Sequence, residues 1–334
     1  MSNPPIAASR GEMCEPPPSA GSRPAGTPEE RRRFALCAPS GKGVPAFERG
    51  WLRPDGGRDA YLSYAGDDHA VNWSEELERL YVDHSREHFI DVWTRRAILE
   101  RVGTLPADAV IADLGCSSGH LLSDLRRARP GAQLIGVDLI SSGLCSAHRS
   151  TPDAYLLQAD VCDLPLGDAS VDAAVSANLL EHVPDDVRAL AELARVLAPG
   201  ARAVLVVPAG PGTYDYYDRF LGHVRRYGRG ELAAKARQAG LEVIQDAHLG
   251  SILFPLFWLV KQRNRRLRPH LDGHALEAQV GRDIAGTRDS RIGHLTCVLE
   301  RELLRRGVSL PFGVRSLTVV RRCSDARAPW GDDA

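Results

Sequence analysis

The sequence predicts an α/β fold: a doubly wound, mostly parallel, seven-stranded sheet, with N-terminal helices and a helical cap inserted before the last strand. Three observations carry this reading. Short apolar runs alternate with helical stretches from about residue 105 onward. The runs lack polar alternation, as strands buried on both faces do. The first run ends in a Gly/Ser-rich turn that opens a helix, "ADLGCSSGH" at 112–120. Parallel strands joined by helices pack those helices on both sides of one sheet.

Residues 1–57 carry "EPPPSAGSRPAGTPEERRR" and "RPDGG". Pro, Gly and Ser break both periodicities there, so the stretch is expected to be a disordered extension ahead of a single domain over 58–323. From Trp73 to about Val102, Leu77, Leu80, Tyr81, His84, His88 and Val92 recur at helical spacing. Strands are expected at 109–111, 134–137, 155–157, 171–175 and 203–207, then at 241–245 and 316–320. Helices are expected at 185–197, where Val187, Leu190, Leu193 and Leu197 form one stripe, and at 230–239. A core of about 105–210 thus precedes a loop at 211–228 and an insertion at about 248–313, which holds "SILFPLFWLV", a run of Arg, and a helix near 291–306.

The formal net charge of -1 supplies no global field for nucleic acid. The seven cysteines are odd in number, scattered and without a CxxC pair. That pattern argues against a disulfide framework or a metal site and for a reducing cytoplasm. No apolar h-region opens the chain, and no apolar run is long enough to span a bilayer.

The turn is the candidate ligand site, because ligands of open α/β sheets sit beyond the carboxyl ends of the strands. Asp138 closes the second strand, 19 positions after Gly119, the spacing of an acid that reaches ribose hydroxyls. The turn lacks the middle glycine of a dinucleotide fingerprint and places Asp113 at the strand end. A carboxylate there repels a diphosphate and attracts an ammonium group. A nucleoside bearing an amine and no phosphate, S-adenosylmethionine, satisfies both conditions.

Five stretches, "VIADLGCSSGHLL", "LIGVDLI", "QADVCDLPL", "SVDAAVSANLLEHVPDD" and "LARVLAPGARAVLVVP", resemble in order and spacing the motifs of class I S-adenosylmethionine-dependent methyltransferases of the type-11 group. The resemblance covers about 105–210 and continues more weakly through 218–232 and 306–322. It implies a Rossmann-like fold in which Asp113, Gly115, Cys116 and Gly119 hold the methionine portion. By the same resemblance Asp138 and Leu139 meet the ribose and adenine, Asp160 and Val161 the adenine edge, and Asn178 and Leu179 the sulfonium region. Cys116 reads as a small turn filler, not a nucleophile. The tetrapeptide typical of the family's DNA enzymes is absent from the fourth strand, which ends Ala177-Asn178-Leu179-Leu180.

On the acceptor side, Glu181-His182 follows the fourth strand, and His182 is the first candidate for a base or acceptor-orienting group. His223 is the second catalytic candidate, with Arg225 and Arg226 as a site for an anionic acceptor such as a carboxylate or a phosphate-linked sugar; the alternative is that these arginines pair with Asp215 and Asp218. The expected acceptor is a small molecule, natural product or lipid- or glycan-linked precursor. The segment 251–268 reads either as a cap over the acceptor pocket, favoured by Pro255, or as a peripheral membrane contact. A relative that binds the cofactor but catalyses cyclisation or elimination, and a non-catalytic binding protein, are the competing readings.

Overall fold

A computed structural model describes residues 34–39, 43–65, 78, 86–267, 275–276, 279–280, 282–283 and 290–323. The described chain begins with a small antiparallel hairpin, β1 (Trp51–Leu52) and β2 (Arg58–Asp59), followed by β3 (Leu62–Ser63). Helix α1 (Phe89–Leu99) leads into the alternating part: β4 (Val110–Leu114), α2 (His120–Ala128), β5 (Gln133–Asp138), α3 (Ser141–Ser150) and β6 (Tyr155–Gln158). Then come β7 (Val171–Ala177), α4 (Asp186–Val196), β8 (Leu197–Pro208), α5 (Tyr216–Phe220), α6 (Glu231–Gln238) and β9 (Leu241–Leu249). The insertion carries α7 (Phe254–Leu267) and α8 (Arg291–Arg305), and β10 (Arg315–Arg322) closes the fold.

The main sheet runs β3-β6-β5-β4-β7-β8-β10-β9. Strands β4 to β8 pair in parallel, while β10 is antiparallel to both β8 and β9. Every residue of β4 is buried, as a strand covered on both faces must be. One face packs Ile135, Leu157, Ala174 and Leu205 against α4 and α6, and the other packs Ile111, Leu134, Leu156 and Val204 under α1, α2 and α3. The order reverses at β4 and β7, so the carboxyl ends of these two strands flank the crevice where ligands bind.

Two expectations need correction. The sheet has eight strands, because β3 adds in parallel to β6 through Leu62 and Ser63. Two residues cannot show a hydrophobic period, so this strand left no signal in the sequence. The second correction concerns the disordered extension assigned to 1–57. Residues 1–33 lie outside the described residues, but Phe34 and Trp51 are buried in the core. Phe47 stacks on Tyr155 at 4.1 Å, the Trp51 indole N–H donates to the Leu156 carbonyl (3.0 Å), and Leu36 bridges Leu166. Aromatic anchors at wide intervals bind this stretch to the β6 side, and a low average hydrophobicity conceals them. The helix expected from Trp73 is described only at Glu78 and from Arg86 onward.

Candidate active site

The turn after β4 is shaped by glycine at two points. Gly115 has φ of 75°, and a Cβ there would lie 2.9 Å from the Leu179 Cβ. Gly119 has φ of 79°, and a Cβ would press to 2.7 Å against Ala147 of α3. Both positions therefore need a left-handed backbone and close approach. Asp113, at the end of β4, is buried, and its Oδ2 has no hydrogen-bond partner. Burial, reinforced by the Asp138 carboxylate, pushes the Asp113 carboxyl up to about 8. A buried acid with an orphaned oxygen is short of a counter-charge, which an ammonium group would supply.

Asp138, at the end of β5, is held by two backbone donors: the Ser117 N–H to Oδ2 (2.8 Å) and the Ile140 N–H to Oδ1 (2.9 Å). Asp160 accepts the Cys162 N–H (2.8 Å). A cavity of about 840 Å³ is lined by Asp113, Gly115, Cys116, Asp138, Leu139, Asp160, Val161, Asn178 and Leu179, and by His182 and His223 as well. Gly119 is the exception among the residues expected here: it lies outside the lining and acts by letting α2 start against α3. The Cys116 thiol is buried and its N–H is spent on the Val137 carbonyl, which suits a turn filler. The cradle fits the amine, ribose and adenine of S-adenosylmethionine in the order the strand ends present them.

One wall residue escaped the sequence reading. Glu78 is buried, accepts the Ser117 hydroxyl (2.5 Å), and sits 2.9 Å from where a Cβ on Gly143 would lie. Only its place in a helical stretch could have flagged it, and that periodicity does not say which face meets the turn.

The far end of the cavity is built by the turn Leu180–His182 after β7 and the segment around His223. The Val224 N–H donates to the Glu181 carbonyl (2.8 Å) and ties the two together. His223 Nδ1 donates to Asp218 Oδ1 (2.9 Å), so its Nε2 is directed to Glu181 Oε1 at 3.9 Å. Asp218 is fully buried and also accepts from Arg226 Nε (2.6 Å) and the Asp215 N–H (3.0 Å). Its carboxyl is pushed far down: burial opposes ionisation, but His223, Arg226 and Lys261 outweigh it.

Glu181 is buried with neither oxygen hydrogen-bonded, and burial, partly offset by His223, pushes it up to about 7. His182 packs edge-on against His223, with ring centroids 4.8 Å apart. Burial first, and His223 second, push the His182 imidazole down to about 3. Burial thus disfavours the protonated form, which speaks against the base and leaves the acceptor-orienting half of the expectation open. The imidazole with an orienting carboxylate is His223. The donor atoms of Glu181, His182 and His223 lie within 4.8 Å of one another.

Of the two arginines of this segment, only Arg226 pairs as the second expectation had it. Arg226 binds Asp218, and Arg225 binds Asp186 (2.7 Å) rather than Asp215 or Asp218. Asp215 instead receives Lys261 from α7 (2.7 Å). Tyr227 is buried and donates to Asp186 (2.7 Å).

A model of the methyltransferase domain matches residues 112–205. The chain is 35% identical over 118 residues to demethylmenaquinone methyltransferase of Thermus thermophilus, covering 34% of this chain and 53% of that one. It is 27% identical over 251 residues to 27-O-demethylrifamycin SV methyltransferase of Amycolatopsis mediterranei, covering 67% of this chain and 89% of that one. The solved structure of Haemonchus contortus phosphoethanolamine N-methyltransferase 2 with S-adenosyl-L-methionine superposes with a TM-score of 0.51 at 16% identity, over 75% of this chain and 57% of that one. The chain thus spans about half the length of the first of these relatives, and the structural likeness is one of fold.

Proposed function

We propose, for a chain whose residues 112–205 form a class I S-adenosylmethionine-dependent methyltransferase domain, that the protein methylates a hydroxyl or acidic carbon of a small, largely apolar acceptor. The observation that carries this is a single cavity that runs from the Asp113–Asp138–Asp160 wall to the His223–Asp218 pair. S-adenosylmethionine, when bound, supplies a methyl group already activated on a sulfonium sulfur. Asp113 would meet its ammonium group, Asp138 its ribose hydroxyls, and Asp160 with Val161 its adenine edge. The chain's remaining task is alignment and removal of a proton.

His223 is suited to the proton. Asp218 holds the Nδ1–H, fixes the tautomer and stabilises the imidazolium that forms, while Nε2 accepts the acceptor's proton. Asp218 is itself kept ionised by Arg226, so it can serve as a fixed anion. His182 stays neutral and orients the acceptor. The lining also includes Leu221, Leu253 and Phe257, with Leu256 and Val260 at the exposed side, which favours an apolar acceptor body. The matched relatives named for demethylmenaquinone and demethylrifamycin support a small organic acceptor of that kind.

The experiment is transfer of a labelled methyl group from S-adenosylmethionine into solvent-extractable metabolites of the source cells, comparing the wild-type protein with Asp138→Ala. Label in one extractable compound, lost with the variant, is the expected result. A product formed without label would replace methyl transfer by cofactor-assisted cyclisation or elimination, and no product at all would leave a binding protein.

A further inference from the structure

Helices α7 and α8 are inverted. A helix on the surface of a globular protein turns its apolar stripe inward. In α7 the buried side chains are Lys261 and Asn264, both bonded to Asp215, with Phe257 half-buried between Lys261 and Arg226. Its outer surface carries Leu256 (62% exposed), Leu259, Val260 and Leu267 (66%), with Trp258 beside them. Helix α8 repeats the pattern: Gly293, Cys297 and Glu300 are buried, while Ile292 (72%), Leu295 (70%), Val298 and Leu299 face outward. Ile252, just before α7, directs its N–H to Glu300 of α8 (3.5 Å), and Phe254 of α7 meets Phe312, beyond α8, with centroids 5.5 Å apart.

We propose that this face docks on an anionic lipid bilayer and receives an amphiphilic acceptor from it. The charge pattern selects that occupant. Exposed Arg263, Arg265 and Arg266 follow the apolar turns of α7, which has no acidic residue, and exposed Arg291 opens α8, whose end carries Arg305 and Arg306 paired with Glu100 (3.6 Å) and Glu302 (3.0 Å). Apolar bulk with an arginine rim suits the headgroup boundary of an anionic membrane. A two-fold contact with a second copy would instead bring the two rims together. At 14 residues α7 is about 21 Å long, too short to cross a hydrocarbon core of about 30 Å, so it lies on the surface. The cavity opens on the same side, because the exposed Leu256, Val260 and Arg263 also line it.

The proposal rests on the methyl-transfer reading only for the acceptor it admits, and its test reads no turnover. The full chain is floated with vesicles of phosphatidylcholine alone or mixed equally with phosphatidylglycerol. Binding to the mixed vesicles that weakens with added salt, with a blue shift of tryptophan emission, is expected. The double variant Leu259→Ser/Leu295→Ser, neither residue lining the cavity, should lower vesicle partitioning by about tenfold or more. Its melting temperature and calorimetric S-adenosylmethionine affinity should match wild type. No flotation with mixed vesicles, or equal flotation of the variant, overturns the proposal. A dimer in size-exclusion chromatography that the double variant dissociates, without vesicle binding, would give the face to a second copy.

Discussion

Asp113 is ionised in an unfolded chain at neutral pH, yet its carboxyl in the folded protein titrates at about 8. The folded state therefore holds a proton that the unfolded state has released. Stability from this group is full below the unfolded value near 4 and declines as pH rises toward 8. The ligand-free protein should lose melting temperature from pH 6 to 8, and Asp113→Asn should flatten that slope. Saturating S-adenosylmethionine should flatten it too, because an ammonium group lets Asp113 ionise in place. An identical slope in wild type and variant would remove Asp113 from the account. Asp138→Ala should weaken cofactor binding by roughly 2–3 kcal/mol, the cost of lost charge-assisted hydrogen bonds, as read by calorimetry. At the other end, His223→Gln should lower the single-turnover rate by about 10²-fold with cofactor affinity unchanged. His182→Asn should cost far less, because an imidazole held near 3 takes up no proton at working pH. The reverse ranking would restore His182 as the base.

At the scale of elements, the turns after β4 and β7 and the segment from Asp215 to Tyr227 line one cavity, tied together by the Val224 N–H on the Glu181 carbonyl. Three buried charges in that segment, Asp215, Asp218 and Arg226, are mutually satisfied, and α7 joins them through Lys261. Such a network is rigid when complete and costly when one member is removed. The N-terminal stretch is a second such element. Trp51 is 1% exposed against Leu156 and Tyr155, so Trp51→Ala should cost about 3–5 kcal/mol. Removing residues 1–57 should accordingly lower the melting temperature by several degrees or more. Unchanged melting after that truncation would show that Phe34, Phe47 and Trp51 add little to the fold.

Over the whole molecule, one sheet carries the Asp113, Asp138 and Asp160 strand ends, the segment of His223 and Asp218, and the insertion before the last strand. No described helix is long and apolar enough to cross a membrane. Binding at the crevice should stabilise the whole domain: S-adenosylmethionine at 100 times its Kd should add about 2.7 kcal/mol. The strands, the glycine turn and the acids at 113, 138 and 160 were legible in the sequence, because burial on both faces produces apolar runs and the cradle is local to each strand end. Local chemistry leaves local marks. Three things were not legible. The docking of Phe34 and Trp51 and the pairing of β3 depend on partners about a hundred residues away in the chain. The choice of His223 over His182 as the proposed base rests on burial and on Asp218, neither of which spacing records. The inversion of α7 depends on Asp215 drawing Lys261 inward, so that only the folded protein decides which side of an amphipathic segment faces out.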